Sequence, residues 1–94
     1  MSEKCIMPQD DRWKTERFEG SHRHEVFGAY NRQKSIEDGL VIFLRPEDHN
    51  MSDKGIHFDK EFDLYAKKVA QRTWMQYYHK DKLDFLERYG RNYL

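Results

Sequence analysis

Residues 40–44 read Leu-Val-Ile-Phe-Leu and are the one fully apolar run of the chain, lying between Gly39 and Pro46. The run is short and rich in β-branched and aromatic side chains, and residues that interrupt regular structure bound it on both sides. These features predict a buried β-strand over residues 40–44.

A second strand and a short helix are predicted on the N-terminal side of this run. Residues 22–27 read His-Arg-His-Glu-Val-Phe and are followed by Gly28, a pattern typical of a strand that ends at the glycine. Residues 31–38 predict a short helix, because Gly39 is well placed as the residue that ends it. The preceding residues, 1–20, are polar and without a sustained period, and we interpret them as an arm with room for one short strand.

Helices are predicted to follow the apolar run. Pro46 can start a helical turn over residues 47–51. A long helix is predicted over residues 59–79, because Asp59 suits the N-cap position and apolar residues recur at three- and four-residue steps. The stripe consists of Phe62, Tyr65, Ala66, Val69, Ala70 and Thr73, widened by Trp74, Tyr77 and Tyr78. A short helix over residues 81–89 would present Leu83, Leu86 and Tyr89 on one side.

The composition indicates one folded domain with a small core. The chain has 94 residues, which support a single hydrophobic core, and its 15% aromatic content is too high for a disordered chain. Small folds often need a metal, a disulfide or a partner for stability. Cys5 is the only cysteine, which excludes an intrachain disulfide and a cysteine-rich zinc ribbon. Metal binding or self-association therefore remains as the additional source of stability that a fold of this size is expected to need.

The charge distribution provides no overall attraction to nucleic acid, since 17 basic residues balance 17 acidic ones. DNA contact would need a local patch, and residues 12–34 offer one with a modest basic excess. No apolar run approaches the roughly 20 residues that span a bilayer. Residues 1–11 lack the apolar segment of a signal peptide. We therefore expect a soluble, cytoplasmic protein with no membrane contact.

Three of the five histidines occupy places where the chain changes direction. His24 lies in the first strand, His49 in the turn after the buried strand, and His57 just before the long helix. A strand, a strand and a helix in that order can bring three side chains together. Neutral imidazole is the commonest metal ligand, so we predict a divalent-metal site on these residues with positions left for water and phosphate. The alternative is that His49 and His57 are exposed loop residues.

Several short motifs cover most of the chain beyond residue 20. They are His24-Glu-Val-Phe-Gly28, Asn31-Arg-Gln-Lys-Ser35, Gly39-Leu-Val-Ile-Phe-Leu-Arg-Pro-Glu-Asp-His-Asn50, Gly55-Ile-His-Phe58, Phe62-Asp-Leu64, Gln71-Arg72 and Gly90-Arg-Asn-Tyr-Leu94. In these motifs the chain resembles small prophage-encoded HNH endonucleases, also called ββα-metal or His-Me finger nucleases. The resemblance implies an α+β fold in which a ββα-metal core with a short strand pair precedes a long C-terminal helix and a short terminal helix.

The resemblance also implies a division of the chain and a host. Residues 1–94 form a single HNH-like domain, with an N-terminal arm at 1–20, a ββα-metal core at 21–58 and a helical part at 59–94. The protein would act in the cytoplasm of a bacterial host cell, as a phage or prophage protein that binds DNA.

Site roles follow from the same resemblance. It implies that His24, His49 and His57 bind the metal, that Glu25 stands at the position of the general base, and that Arg32 holds the scissile phosphate. Mg²⁺ is the implied metal, with Mn²⁺, Ni²⁺ or Zn²⁺ as alternatives.

The general base is where this chain departs from the family, because the family usually has histidine where this chain has Glu25. A carboxylate accepts a proton less readily than imidazole at neutral pH. His22 shares a strand face with His24 and could replace Glu25 as the base. Glu25 could instead bind the metal, or form an ion pair with Arg23 or Arg45.

The sequence departs from the HNH pattern in two further ways, and these departures favour considering a function without catalysis. The Cys-x-x-Cys pairs that often hold a structural zinc are absent, with Arg45 and Asp48 in place of the second pair. The middle asparagine of the family name has no clear match. The chain is therefore interpreted either as a metal-dependent endonuclease that hydrolyses DNA phosphodiester bonds or as a catalytically degenerate binding module, such as a phage inhibitor of a host enzyme or defence complex. A structural phage protein without a site is a third reading.

Overall fold

The computed structural model describes residues 4–49 and 55–94, and in them the protein is a small α+β fold. Two strands form one antiparallel sheet, and helices cover it. A single 3-10 turn, Ala29–Asn31, precedes the first helix. In chain order the elements are β1 (His22–Glu25), α1 (Arg32–Asp38), β2 (Val41–Leu44), α2 (Pro46–His49), α3 (Lys60–Tyr78) and α4 (Lys82–Tyr89).

The apolar run forms the predicted buried strand, and all four residues of β2 are buried. It pairs with β1 in a register that places His22 opposite Leu44 and His24 opposite Ile42. β1 ends at Glu25, two residues before the predicted end at residue 27. The backbone bends there, although the amide of Val26 still donates to the carbonyl of Leu40 at 3.0 Å.

The N-terminal arm covers the outer edge of β2. The backbone groups of Lys14 and Phe43 exchange two hydrogen bonds, at 2.9 and 3.0 Å. Nearer the start of the strand, the amide of Ile6 donates to the carbonyl of Gly39 at 2.9 Å. The edge of the sheet that does not face β1 is therefore paired with the arm.

Two side chains fix this arm to the body of the protein. Trp13 is buried in the core, and its indole N–H donates to the carbonyl of Pro8 at 2.9 Å. The thiol of Cys5 donates to the carbonyl of Val41 at 3.1 Å, and burial raises the pKa of this thiol. The arm is thus part of the packed structure.

Helix boundaries agree closely with the sequence. Gly39 follows α1 in the left-handed conformation, with φ of 79°, as predicted for the residue that ends the helix. α3 begins after Asp59, whose carboxylate accepts hydrogen bonds from the amides of Glu61 and Phe62. The predicted turn after Pro46 is seen as far as His49, and its continuation to residue 51 lies outside the described residues.

The apolar faces of α3 and α4 are narrower than predicted. On α3, the buried side chains include Phe62, Ala66, Ala70 and Trp74, whereas Tyr65 and Tyr77 are exposed. On α4, the prediction for Leu83 and Leu86 is wrong, because both are exposed. Phe85 and Tyr89 are buried instead, one turn apart with stacked rings 4.6 Å between centroids, and both rings pack against Phe27 and against Trp74 of α3.

A saturated polar network joins α1, α3 and α4 beneath this aromatic cluster. The carboxylate of Asp38 is buried and accepts hydrogen bonds from the indole of Trp74 (2.9 Å), the phenol of Tyr89 (2.6 Å) and two guanidinium nitrogens of Arg88 (2.6 and 2.9 Å). Burial and the hydrogen bond to Asp38 raise the pKa of Tyr89.

Among the described helices, none is long and apolar enough to cross a membrane.

Candidate metal centre

β1 places two histidines on one face of the sheet. Side chains two residues apart in a strand point the same way, so His22 and His24 both face the segment that follows β2. His24 lies opposite Ile42 near the middle of the strand pair and is only 7% exposed. His22, nearer the edge, is partly buried.

Backbone hydrogen bonds bring the other two histidines to this face. His49 is the last residue of α2, and His57 lies just before α3. The amide of Ile56 donates to the carbonyl of Asp48 at 2.8 Å, and the amide of His57 donates to the carbonyl of His49 at 3.2 Å. These two hydrogen bonds join residues 48 and 49 to residues 56 and 57, and they hold the imidazoles of His49 and His57 side by side.

The three predicted ligands therefore meet at one point. His24, His49 and His57 each offer a ligand atom, and these atoms all lie within 4.8 Å of one another. The Nε2 atoms of His49 and His57 are 2.9 Å apart. Nitrogens bound at zinc-like distances around a tetrahedral ion are roughly 3.4 Å apart, a value within the observed spread. The prediction that these histidines could form a metal site is confirmed. Of the two residues that the alternative describes as exposed loop residues, His57 is exposed in the turn before α3, whereas His49 is half-buried in α2.

The surroundings of His24 and His49 favour the neutral state that metal binding requires. Burial, together with the positive charges that His57, His49 and Lys67 can carry, lowers the pKa of His24 to about 3. Burial also lowers the pKa of His49, and proximity to His57 and His22 adds to the effect. At neutral pH, His24 and His49 therefore have ring nitrogens free of the proton that would compete with a metal ion.

One ring nitrogen has no partner within the described residues. Nε2 of His24 is fully buried and makes no hydrogen bond. A buried polar atom without a partner is unfavourable, and such exceptions in native proteins usually have a ligand, an ion or a functional reason. A metal ion held by these three residues would satisfy this nitrogen, so the donor set fits the ion that the sequence predicts.

His22 contacts the cluster without being one of the three ligands. Its Nδ1 lies 3.2 Å from Nδ1 of His49, and the two rings pack edge to face with centroids 5.3 Å apart. A hydrogen bond to one ring nitrogen of a metal-binding histidine fixes which nitrogen is left for the metal. His49 is thereby oriented with Nε2 toward His57. The sequence placed His22 on the correct face but gave no indication of this contact.

Glu25 and Arg32 are bound to each other. The carboxylate of Glu25 accepts from Nε of Arg32 at 2.6 Å and from Nε of Arg23 at 3.2 Å. The alternative of an ion pair with Arg23 is confirmed, whereas Arg45 pairs with Asp48 at 3.0 Å. Glu25 is not among the residues whose ligand atoms meet. The structure thus brings the three candidate metal ligands together and leaves the proposed base engaged with two guanidinium groups.

No protein-family model matches the chain, and no curated protein or solved structure shows significant similarity to it. The chemistry of the histidine cluster is therefore the basis for a functional proposal.

Proposed function

We propose that this protein is a metal-dependent endonuclease that hydrolyses DNA phosphodiester bonds at the centre formed by His24, His49 and His57. The observation that carries the proposal is the convergence of three imidazoles, one of which has a buried ring nitrogen without a hydrogen bond among the described residues. Three protein ligands leave coordination positions for water and substrate, an arrangement typical of catalytic rather than structural metal sites. The resemblance to HNH nucleases in the surrounding motifs supports the same chemistry.

The donor set favours a transition metal. Imidazole nitrogens suit Zn²⁺ and Ni²⁺, whereas Mg²⁺ prefers an oxygen shell. Every ligand atom in the cluster comes from a histidine. We therefore place Zn²⁺ or Ni²⁺ ahead of Mn²⁺ and Mg²⁺, in contrast to the order implied by the family resemblance.

In the proposed reaction, water attacks the phosphorus, the bond to the 3′ oxygen breaks, and the attacking water gives up a proton. When bound, the metal supplies Lewis-acid stabilisation of the negative charge on the phosphate and on the leaving oxygen. Two side chains of this protein could accept the proton. Glu25 would first have to weaken its contacts with Arg32 and Arg23, whereas His22 uses only Nδ1 toward His49 and retains a second ring nitrogen.

Arg32 can contribute in a second way. Its side chain is 63% exposed, so it can turn from Glu25 to a phosphate at little cost in buried contacts. A substrate phosphate that attracts Arg32 would at the same time release one carboxylate oxygen of Glu25. Substrate binding and activation of this base would then be linked.

A second function is favoured by the short contact between Glu25 and Arg32. Two residues of the implied machinery neutralise each other at 2.6 Å, which suits a module that retains the metal but not the hydrolysis. Such a module would bind a host enzyme or defence complex in place of cutting DNA.

Plasmid nicking distinguishes these functions. The protein is incubated with supercoiled plasmid and Zn²⁺, Ni²⁺, Mn²⁺ or Mg²⁺, with EDTA as the blank. We expect metal-dependent nicking that His49→Ala abolishes and that the control His79→Asn leaves intact, because His79 is exposed, lies at the end of α3 and takes no part in the cluster. Undiminished nicking by His49→Ala would contradict the proposal. Metal binding by the unaltered protein without any nicking would support the binding module.

A further inference from the structure

A cavity of about 400 Å³ opens beside the histidine cluster. His24 and His57 form one wall, and the bend after β1 at Gly28 contributes another. The first turns of α3 complete it with Lys60, Asp63 and Lys67. We call this cavity the lysine pocket. It gives a molecule from solution direct access to two of the three metal-binding imidazoles.

The α3 wall of the lysine pocket is positively charged. Lys60, Asp63 and Lys67 are three and four residues apart, so they lie along one face of the helix. Lys67 is held by Asp63, with 2.9 Å between Nζ and the carboxylate, and its Nζ lies 5.7 Å from the centre of the Tyr93 ring. No ion pair engages Lys60 within the described part of the chain. Two cations against one carboxylate leave a net positive charge beside the metal ligands.

Lys67 lines the same cavity as His24, whose Nε2 is buried and has no hydrogen bond among the described residues. His24 is more than nine-tenths buried and lines the pocket itself. The lysine pocket therefore places the positive charge of Lys60 and Lys67 next to two of the candidate metal ligands, His24 and His57, so an anion attracted by the lysines would lie beside the metal centre.

We propose that the lysine pocket binds one phosphate of a nucleic-acid strand next to the metal centre, with Lys67 and Lys60 as positioning residues. The proposal rests on the proposed function, since it takes the substrate to be a phosphodiester. Lys67 leaves its ion pair with Asp63 and contacts a non-bridging phosphate oxygen from the helix side, while the histidine wall faces the same phosphate from the sheet side. Lysine acts at such sites as a point charge, so the pocket accepts any nucleotide sequence.

The test uses the full chain loaded with Co²⁺, a paramagnetic ion that binds imidazole, and dimethyl phosphate, a stable phosphodiester without sugar or base. Binding in the lysine pocket would place the phosphorus near the metal, and ³¹P relaxation would rise in a saturable manner. Lys67→Met, which keeps the aliphatic stem over Tyr93, is expected to raise the dissociation constant about tenfold, as for loss of one charge-assisted hydrogen bond. Lys60→Met is expected to raise it about threefold, because this lysine is exposed.

Two further variants control for folding. Lys68→Met alters the next, exposed residue of α3, which does not line the pocket, and is expected to leave the dissociation constant unchanged. Asp63→Asn removes a negative charge from the pocket wall and is expected to tighten binding about threefold, a gain that a damaged fold would not produce. Co²⁺ affinity, measured without phosphate, verifies that each variant retains the metal centre.

Equal dissociation constants for Lys67→Met and the unaltered protein would overturn the proposal, as would a Co²⁺-loaded protein that shows no saturable relaxation. The result is separable from the outcome for the endonuclease. Saturable phosphate binding without plasmid nicking would support the lysine pocket and contradict the proposed function. Nicking that Lys67→Met leaves unchanged would contradict the lysine pocket alone.

Discussion

Asp38 and His24 are almost equally buried, at 8% and 7% exposure, yet their surroundings differ completely. The carboxylate of Asp38 accepts four hydrogen bonds from Trp74, Arg88 and Tyr89. Nε2 of His24 has no hydrogen-bond partner among the described residues. The carboxylate of Asp38 thus has its hydrogen-bond partners within the chain, whereas Nε2 of His24 has none within the described residues.

We interpret this as the difference between a structural site at Asp38 and the proposed metal-binding site at His24. A buried charge with all its partners holds three helices in one arrangement, and the chain gains nothing by adding a ligand there. A buried nitrogen without a partner costs stability in the free protein, and binding can recover that cost. The two regions should therefore respond in opposite ways when the polar group is removed.

The largest effect is expected at Asp38. Asp38→Ala would leave the guanidinium of Arg88 and the buried donors of Trp74 and Tyr89 without their acceptor, so we expect a loss of about 4 kcal/mol in the free energy of unfolding. Urea denaturation followed by circular dichroism measures it. The control is Glu37→Ala, whose exposed ion pair with Arg88 at 3.4 Å should matter by less than about 0.5 kcal/mol. Similar free energies of unfolding for Asp38→Ala and Glu37→Ala would show that the Asp38 network does not stabilise the fold, and the contrast with the histidine cluster would then be wrong.

The next effect is a dependence of stability on pH in the metal-free protein. The folded-state pKa of His24 is about 3, against 6.5 for the free side chain, so between these values the unfolded chain binds a proton that the folded protein does not. The free energy of unfolding therefore falls as the pH is lowered through this window, by about 2 kcal/mol from pH 7 to pH 5. The lowered pKa of His49 acts in the same direction.

The pH effect can be assigned by comparing the unaltered protein with His24→Leu at both pH values. Most of the decrease should be absent from the variant, because leucine does not titrate. A decrease of the same size in His24→Leu would mean that other groups are responsible and that His24 is not protected from protonation.

A smaller change of opposite sign to Asp38→Ala is expected for His24→Leu at neutral pH. Replacing a buried, unpartnered nitrogen by an apolar side chain of similar size should raise the metal-free stability by about 1–2 kcal/mol. The same variant should lose the stabilisation that Zn²⁺ or Ni²⁺ confers on the unaltered protein, about 2.7 kcal/mol at a hundredfold excess over the dissociation constant. A variant less stable than the metal-free protein would show that His24 contributes to the fold rather than to binding.

The smallest effect is expected at the edge of the cluster. His22→Phe removes the contact with Nδ1 of His49 while keeping a ring at that position, so metal affinity should fall by about tenfold. Isothermal titration with Zn²⁺ measures the change, and His79→Asn is again the control. An unchanged affinity would show that His49 needs no orientation from His22.

The helices and strands could be predicted from the sequence, but the side-chain contacts between them could not. β2 could be predicted because an apolar run between Gly39 and Pro46 has few alternatives, and α3 because Asp59 caps a regular stripe. Asp38, by contrast, is a charged residue at a helix end, where a solvated side chain is the ordinary expectation. Only the packing of α3 and α4 shows that its carboxylate is buried.

The candidate metal site was likewise predictable only in part: its residues could be predicted from the sequence, but its geometry could not. The three ligands were predicted from their places in the chain order and from the family resemblance, and the structure brings them together. Their distances depend on the amides of Ile56 and His57, whose hydrogen bonds have no sequence signature. Lys60 and Lys67 were missed because charges at these spacings on a helix usually indicate a solvated face.

The pairing of the arm with β2 has a consequence for handling the protein at high concentration. An apolar strand with free backbone groups along one side is a template for adding strands from other molecules, which leads to aggregation. Here the outer groups of β2 are occupied by Lys14 at Phe43 and by the thiol of Cys5 at Val41, with Ile6 bound just before the strand at Gly39. The arm therefore protects the outer edge of β2 from pairing with strands of other molecules. Truncations that remove it would expose the most apolar strand of the molecule even though every metal ligand is retained.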